Sequence, residues 1–315
     1  MENRIRIGAS ACLLGERVRY DGADKRDHYL TDTFGSFLTF VPLCPETGCG
    51  LPVPREAMRL EGEPQNPRLI TISGRLDLTE RMLAYCRKSV TDLEREELCG
   101  FIVKKNSPSC GLCRVRVYNR GKSAKSGRGL FAAALAGHFP LLPVEEEGRL
   151  YDMAIRENFI ERVFAYRRLK ELLRGRTDMG ELAAFHGINR LQLMAHSPRL
   201  CREMGRLVAT GQEARLEELL ARYADCFMGA FYYHATVKKQ RDLLLQIMGS
   251  FSKALTPAER AELLAVIRHY HARLIPLTVP LTLLRHYISR FGQDHLLEQT
   301  YLKPHPLELM LRNHG

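Results

Sequence analysis

Three of the nine cysteines follow short apolar runs. Cys12 closes residues 5–11, Cys44 closes Leu38–Leu43, and Cys110 lies a few residues past Gly100–Val103. Each sits in a stretch built to hold its side chains still: SACLLG, CPETGCGLPVPR and KKNSPSCG. Proline fixes φ and removes a backbone donor, while glycine opens conformations closed to other residues. A thiolate is a nucleophile and a soft metal ligand. Beside the thiols stand other groups with chemistry of their own. Glu46, two residues past Cys44, suits a general acid or base. Ser107 and Ser109 flank Cys110 and can donate hydrogen bonds, with a turn beside Pro108 as the plainer role for Ser107. Arg55 can steer an anion or pair with a nearby carboxylate. Lys104 and Lys105 can meet a phosphate, balance negative charge, or simply end a strand in solvent.

Two donor sets are open on this spacing. Cys44-x4-Cys49 with Cys110-x2-Cys113 makes a four-sulfur zinc site. Alternatively, Cys12, Cys44 and Cys110 hold a four-iron cluster and leave one iron open as a Lewis acid. The odd number of cysteines argues against a closed disulfide set, and Cys86, Cys99, Cys201 and Cys226 fall in patterns that suit the core. The N-terminus lacks the apolar segment of a signal peptide, and no run is long enough to cross a bilayer, so a cytoplasmic protein is expected.

The elements that must position these groups alternate. Strands are expected at 5–11, 38–43, 69–73, 100–103 and 140–144, with helices at 31–38, 80–89 and from 127–129 onward. That alternation predicts an α/β N-terminal domain with a mostly parallel, Rossmann-like sheet. In such sheets ligands bind outside the carboxyl ends of the strands, so parallel neighbours would bring the three thiols to one crevice. The segment 119–128, NRGKSAKSGR, reads as a flexible basic loop ahead of a helix whose amides could attract phosphate. From about residue 151 the periodicity becomes helical and stays so, with helices expected at 153–173, 181–196, 198–209, 213–227, 230–250, 257–273 and 280–291. An all-α C-terminal domain follows, and the domains are drawn as 1–155 and 156–315. His186 and His196, ten apart in one predicted helix, share no face well and read as structural.

Five stretches, SACLLG with VRYDG, CPE with GLPVPR, SGRLDLT, KKNSPSCG and GRGLFAAAL, follow in order the pattern of the thiouracil desulfidase family, which this chain resembles over roughly residues 4–150. The remainder, with GELAAFHGINRLQLMAHSP and IPLTVPLTLLRHY, is similar to the YbgA-like helical domain often fused behind it, as in the tRNA 4-thiouridine desulfidases. The resemblance implies a [4Fe-4S] cluster on Cys12, Cys44 and Cys110 with one open iron, and removal of sulfur from a thiolated uracil without net redox. It also implies helper roles for Glu46 and for Ser107 or Ser109. Cys49 and Cys113 depart from the common pattern as extra thiols that could ligate, carry sulfide or be inert.

Charge supports a polyanionic partner. The chain of 315 residues carries +11, of which +7 lies in residues 151–315. Tyr232-Tyr233-His234 ahead of Lys238, Lys239 and Arg241 mixes aromatic and basic groups as RNA-binding surfaces do. Taken with the resemblance to the tRNA 4-thiouridine desulfidases, this implies thiolated tRNA as the substrate. A desulfidase of free thiouracil or thionucleosides, and a zinc-stabilised nucleic-acid-binding protein without catalysis, are the alternatives.

Overall fold

A computed structural model describes residues 4–211 and 215–305. The chain divides into two compact units, Met1–Phe159 and Ile160–Gly315. The first contains β1 (Ile5–Ser10), β2 (Leu38–Leu43), α1 (Pro45–Gly48), β3 (Met58–Glu61), β4 (Arg68–Thr71), α2 (Thr79–Glu94), β5 (Gly100–Val103), β6 (Val115–Asn119), β7 (Lys122–Gly127), α3 (Leu130–His138) and β8 (Val144–Glu146).

Four of these strands form one sheet in the order β2-β1-β5-β8, every pair parallel. Both inner strands are apolar and buried almost throughout, as strands covered on two faces must be. Close packing dictates Gly8 in β1: a Cβ there would lie 2.2 Å from the Phe101 ring. Phe101 in turn meets Phe131 of α3 at 5.5 Å between ring centroids. Helix α2 buries Met82, Cys86, Ser89, Val90 and Leu93, one stripe at helical spacing.

A second sheet, β4-β3-β6-β7, is mixed rather than parallel. The strand expected at 69–73 belongs here, antiparallel to β3. The expected loop 119–128 is instead a hairpin. Asn119 pairs with Lys122 across Arg120 and Gly121, both at positive φ, the backbone of a two-residue I′ turn. Two further expectations are corrected. Residues 31–38 form no regular α-helix but a π turn, Tyr29–Thr33, and a 3-10 turn, Phe34–Ser36. The last parallel strand starts at Val144, because Pro140 and Pro143 precede it, and its pairing opens with Phe101 N donating to the Pro143 carbonyl at 2.8 Å.

The second unit is helical. The division falls within α4 (Met153–Arg174), followed by α5 (Met179–His196), α6 (Pro198–Thr210), α7 (Leu216–Ala230), α8 (Val237–Ser250), α9 (Pro257–His271), α10 (Thr278–Arg290) and α11 (Asp294–Leu297). The first residues of the helix expected at 213–227 lie partly outside the described residues. The helix expected from 230 to 250 is interrupted, so Tyr232, Tyr233 and His234 occupy a connection. Starts are capped as their sequences dictate. Asp178 with Glu181, and Thr256 with Glu259, form capping boxes. Leu244, Leu263, Leu284, Ile288 and Tyr301 lie at the centre of the core that α5, α8, α9 and α10 share.

Candidate active site

The parallel register sets Cys12 and Cys44 at neighbouring strand ends, and the loop after β5 brings Cys110 to the same cavity. Ser10, the last residue of β1, pairs with Leu43, the last of β2, and Ala9 pairs with Ile102 of β5. Cys12 follows in the 3-10 turn Ala11–Leu14, which ends at Gly15 with φ 98°. Cys44 leads into α1. Cys110 returns to the edge on a loop that leaves β5 at Lys104. Strand order reverses between β1 and β5, the switch point at which open sheets bind ligands. A cavity of about 460 Å³ opens there, and Cys12, Cys44, Cys110, Glu46, Arg55 and Ser107 all line it.

Burial pushes the Cys12 thiol up to about 11, helped by the neighbouring Cys44, and burial likewise pushes Cys110 up. The hydroxyls of Ser10 and Ser109 oppose the rise at Cys110 by favouring its thiolate. Ser109 Oγ donates to Glu46 Oε1 at 2.7 Å. Ser107 Oγ is 2.9 Å from Ser109 Oγ and accepts from the backbone amides of Ser109 (3.3 Å) and Cys110 (3.1 Å). Ser109 has one proton for two acceptors, Glu46 Oε1 at 2.7 Å and Cys110 Sγ at 3.7 Å; when it goes to the nearer carboxylate, Ser107 donates to Ser109 and the two hydroxyls form a chain into Glu46. Ser109 is fully buried, and Ser107 is the serine on the cavity wall.

Arg55 lines the cavity and is the buried ion-pair partner of Glu46. Its side chain is 4% exposed, and Glu46 is 15% exposed. Nε donates to Glu46 Oε2 at 3.1 Å, Nη2 donates to the same oxygen and to Val18 O at 2.9 Å, and Nη1 donates to Pro52 O at 3.2 Å. Lys104 is likewise occupied: its ammonium pairs with Glu147. Lys105 lines the cavity with an exposed side chain.

The extra thiols stand apart. Neither Cys49 nor Cys113 lines the cavity; Cys49 Sγ donates to Glu46 O at 3.2 Å. Among the described residues, no three His, Cys, Asp or Glu side chains gather closely enough for one metal ion. Sulfurs around one zinc lie roughly 3.8 Å apart, so the set of Cys44, Cys49, Cys110 and Cys113 is not assembled. Three thiols spread round a cavity wall, with no histidine among the lining residues, suit a group containing several iron atoms.

The helix start proposed as a phosphate cradle is filled from within. Leu130 N donates to Pro108 O (3.2 Å), and Phe131 N to Ser109 O (2.9 Å). The amides that open α3 hold the Cys110 loop. Sequence reasoning missed that contact, and it missed Ser10, whose Oγ accepts from Lys104 N at 3.0 Å. It also missed Glu146 and Glu147. Their only signal was the run Glu145–Glu147 at a strand end, which resembles a solvated stretch.

The basic residues of the second unit differ among themselves. Lys239 turns inward, its Nζ donating to His196 O at 2.6 Å and His234 O at 3.1 Å. Arg241 pairs with Asp242 and Lys238 is exposed. Tyr232 is 61% exposed and carries the Arg162 guanidinium 4.5 Å from its ring centre. His196 is structural, set between Glu161 (2.9 Å) and Tyr233 O (2.8 Å).

Residues 7–147 match the family described as 2-thiouracil desulfurase. The protein YbbK of Bacillus subtilis (strain 168) is 31% identical over 140 residues, which span 41% of this chain and 88% of YbbK. The chain belongs to the 2-thiouracil desulfurase family. It is thus a desulfurase-family enzyme with a second unit attached. Residues 190–306 match DUF1722, a family described as of unknown function. YbgA of Escherichia coli (strain K12) is 27% identical over 155 residues, 49% of this chain and 92% of YbgA. A solved [4Fe-4S]-dependent thiouracil desulfidase, TudS, is 32% identical, with 49% of this chain and 97% of that one covered at a TM-score of 0.40. No helix among the described residues is long and apolar enough to cross a membrane.

Proposed function

We propose that this desulfurase-family enzyme is a [4Fe-4S]-dependent, non-redox desulfidase that converts 4-thiouridine in tRNA to uridine. The observation that carries the reading is the set of three thiols, two just past the ends of β1 and β2 and one on the loop after β5, lining one cavity with Glu46. Cys12, Cys44 and Cys110 would hold the cluster, and the absence of Cys49 and Cys113 from the cavity lining supports three protein ligands rather than four. When bound, such a cluster supplies a Lewis-acidic iron for the thiocarbonyl sulfur.

The chain's own residues do the rest. The reaction exchanges C=S and water for C=O and hydrogen sulfide. Glu46 is the acceptor for the water proton, its Oε2 held by Arg55 and its Oε1 by Ser109. Ser107, at the wall, takes the water proton as it hands its own to Ser109, which hands its own to Glu46, and the same relay returns the proton to the departing sulfide. The side chains of Leu43, Ala57 and Met58 give the cavity an apolar side for a pyrimidine ring.

The tRNA part of the reading is supported by the +7 charge of residues 151–315 and by exposed Tyr232, Tyr233 and Lys238. The target nucleotide would leave its stack to enter the cavity. A second reading, desulfuration of free thiouracil or a thionucleoside, is favoured by the 2-thiouracil in the family's description. Anaerobic purification with iron and sulfide assays, followed by thiolated tRNA and free thio-base as competing substrates, tests both. Loss of 4-thiouridine from tRNA with steep salt dependence is expected. A loaded protein that leaves tRNA untouched and consumes the free base overturns the tRNA reading, and an active iron-free protein overturns the cluster.

A further inference from the structure

The loop carrying Ser107, Ser109 and Cys110 leaves the sheet at Lys104 and comes back at Leu112. Both points are gripped from one place. Glu147 Oε2 accepts from Lys105 N at 2.7 Å, and its other oxygen pairs with the Lys104 ammonium. Glu146 Oε1 accepts from Leu112 N at 3.0 Å and lies 3.5 Å from Cys113 N. Both carboxylates are buried, at 8% exposure for Glu146 and 6% for Glu147. β8 delivers them through its pairing with β5, since Glu146 stands opposite Val103, the residue before the loop departs.

Glu146 is the more telling of the two. Among the described residues no cation lies within ion-pair distance of it, so its charge is held by backbone amides. Burying a carboxylate is expensive unless it is hydrogen-bonded. A residue chosen for stability alone would be apolar at such a position. An acceptor is needed because the returning loop presents amides with no sheet partner.

We infer that Glu146 and Glu147 are positioning residues that clamp the two ends of the Cys110 loop and so hold the third thiol at the cavity. The iron-loading arm of the test rests on the cluster reading above; the thiol-reactivity arm does not. Metal-free protein, kept anaerobic, is alkylated with and without Glu146→Ala, Glu147→Ala and Glu146→Gln, and each cysteine is followed by peptide mapping. Buried Cys86 in α2 reports general loosening. Losing a hydrogen bond to a charged acceptor should raise Cys110 labelling about tenfold or more in both alanine variants. Cys86 should be unchanged, and Glu146→Gln, whose amide oxygen still accepts from Leu112 N, should stay near the parent rate. Iron retained after anaerobic reconstitution should fall in the alanine variants and recover in Glu146→Gln. Unchanged Cys110 labelling, or a parallel rise at Cys86, overturns the clamp. A selective rise at Cys110 with normal iron loading keeps the clamp and overturns Cys110 as a ligand.

Discussion

Arg55→Met isolates the buried ion pair beside the thiols. The substitution keeps most of the side-chain volume and removes every donor. It strands the Glu46 carboxylate, 15% exposed, and leaves Val18 O without its 2.9 Å donor. Stripping one partner from a buried pair costs about 3–5 kcal/mol. Glu46→Gln removes the charge and keeps an acceptor for the guanidinium, so it should cost about 1–2 kcal/mol. The double variant should be less destabilised than the sum, because Glu46→Gln removes the unpaired buried charge that Arg55→Met leaves behind; a coupling of about 1.5–3 kcal/mol is expected for groups in one network. Urea unfolding of metal-free protein at fixed pH measures all three, and burial should make the coupling insensitive to salt. A loss below about 1 kcal/mol for Arg55→Met, or strict additivity, would refute the assignment of Arg55 as the partner that holds Glu46.

Four further outcomes follow from other residues. A Cβ on Gly129 would sit 2.4 Å from Ser109 O and 2.5 Å from its carbonyl carbon, so Gly129→Ala should displace the Cys110 loop. The expected cost is about 1–3 kcal/mol by unfolding, with lower iron retention. Glu61 is held at about 2, below its usual 4.5, first by the hydrogen bond from Arg75 and then by Arg59. Its contribution is present above pH 4.5 and is lost as the pH falls toward 2, so melting temperature should drop through that window less steeply in Glu61→Gln. Lys239→Ala should cost about 1–2 kcal/mol through its two carbonyls and leave the salt dependence of the proposed tRNA binding alone. Lys238→Ala should reduce the salt slope by about 1 with little change in stability.

Much of the site can be read from residues because it is local. Cys12 and Cys44 each stand where an apolar run meets a Gly- or Pro-rich turn, and a parallel sheet of such runs makes neighbours of their ends. What was illegible depends on distant partners. Arg55 could be an anion contact or an ion-pair member, and only the fold brings Glu46 within reach of its Nε. Of the second sheet only β4 is marked as a strand; β3 has four residues and β7, KSAKSG, is mostly exposed, so neither period nor hydrophobicity marks those two. Glu146 and Glu147 looked solvated because three adjacent carboxylates normally are. Their burial depends on amides more than thirty residues earlier in the chain. The amides that open α3 looked like a phosphate cradle because sequence cannot tell that Pro108 O and Ser109 O arrive first.

The way the Cys110 loop is held has a consequence for the order of assembly. Cys12 and Cys44 are placed by strands that pair directly with each other, both within the first 44 residues. The third thiol is placed by a helix that opens at Leu130 and by carboxylates at 146 and 147. During synthesis the first two thiols can therefore take up their native positions before the third has anything to hold it. Loop closure over such separations is slow relative to local pairing. On the clamp proposed above, the docking of β8, three residues long, is the step that turns two thiols on a sheet edge into a three-point receptor.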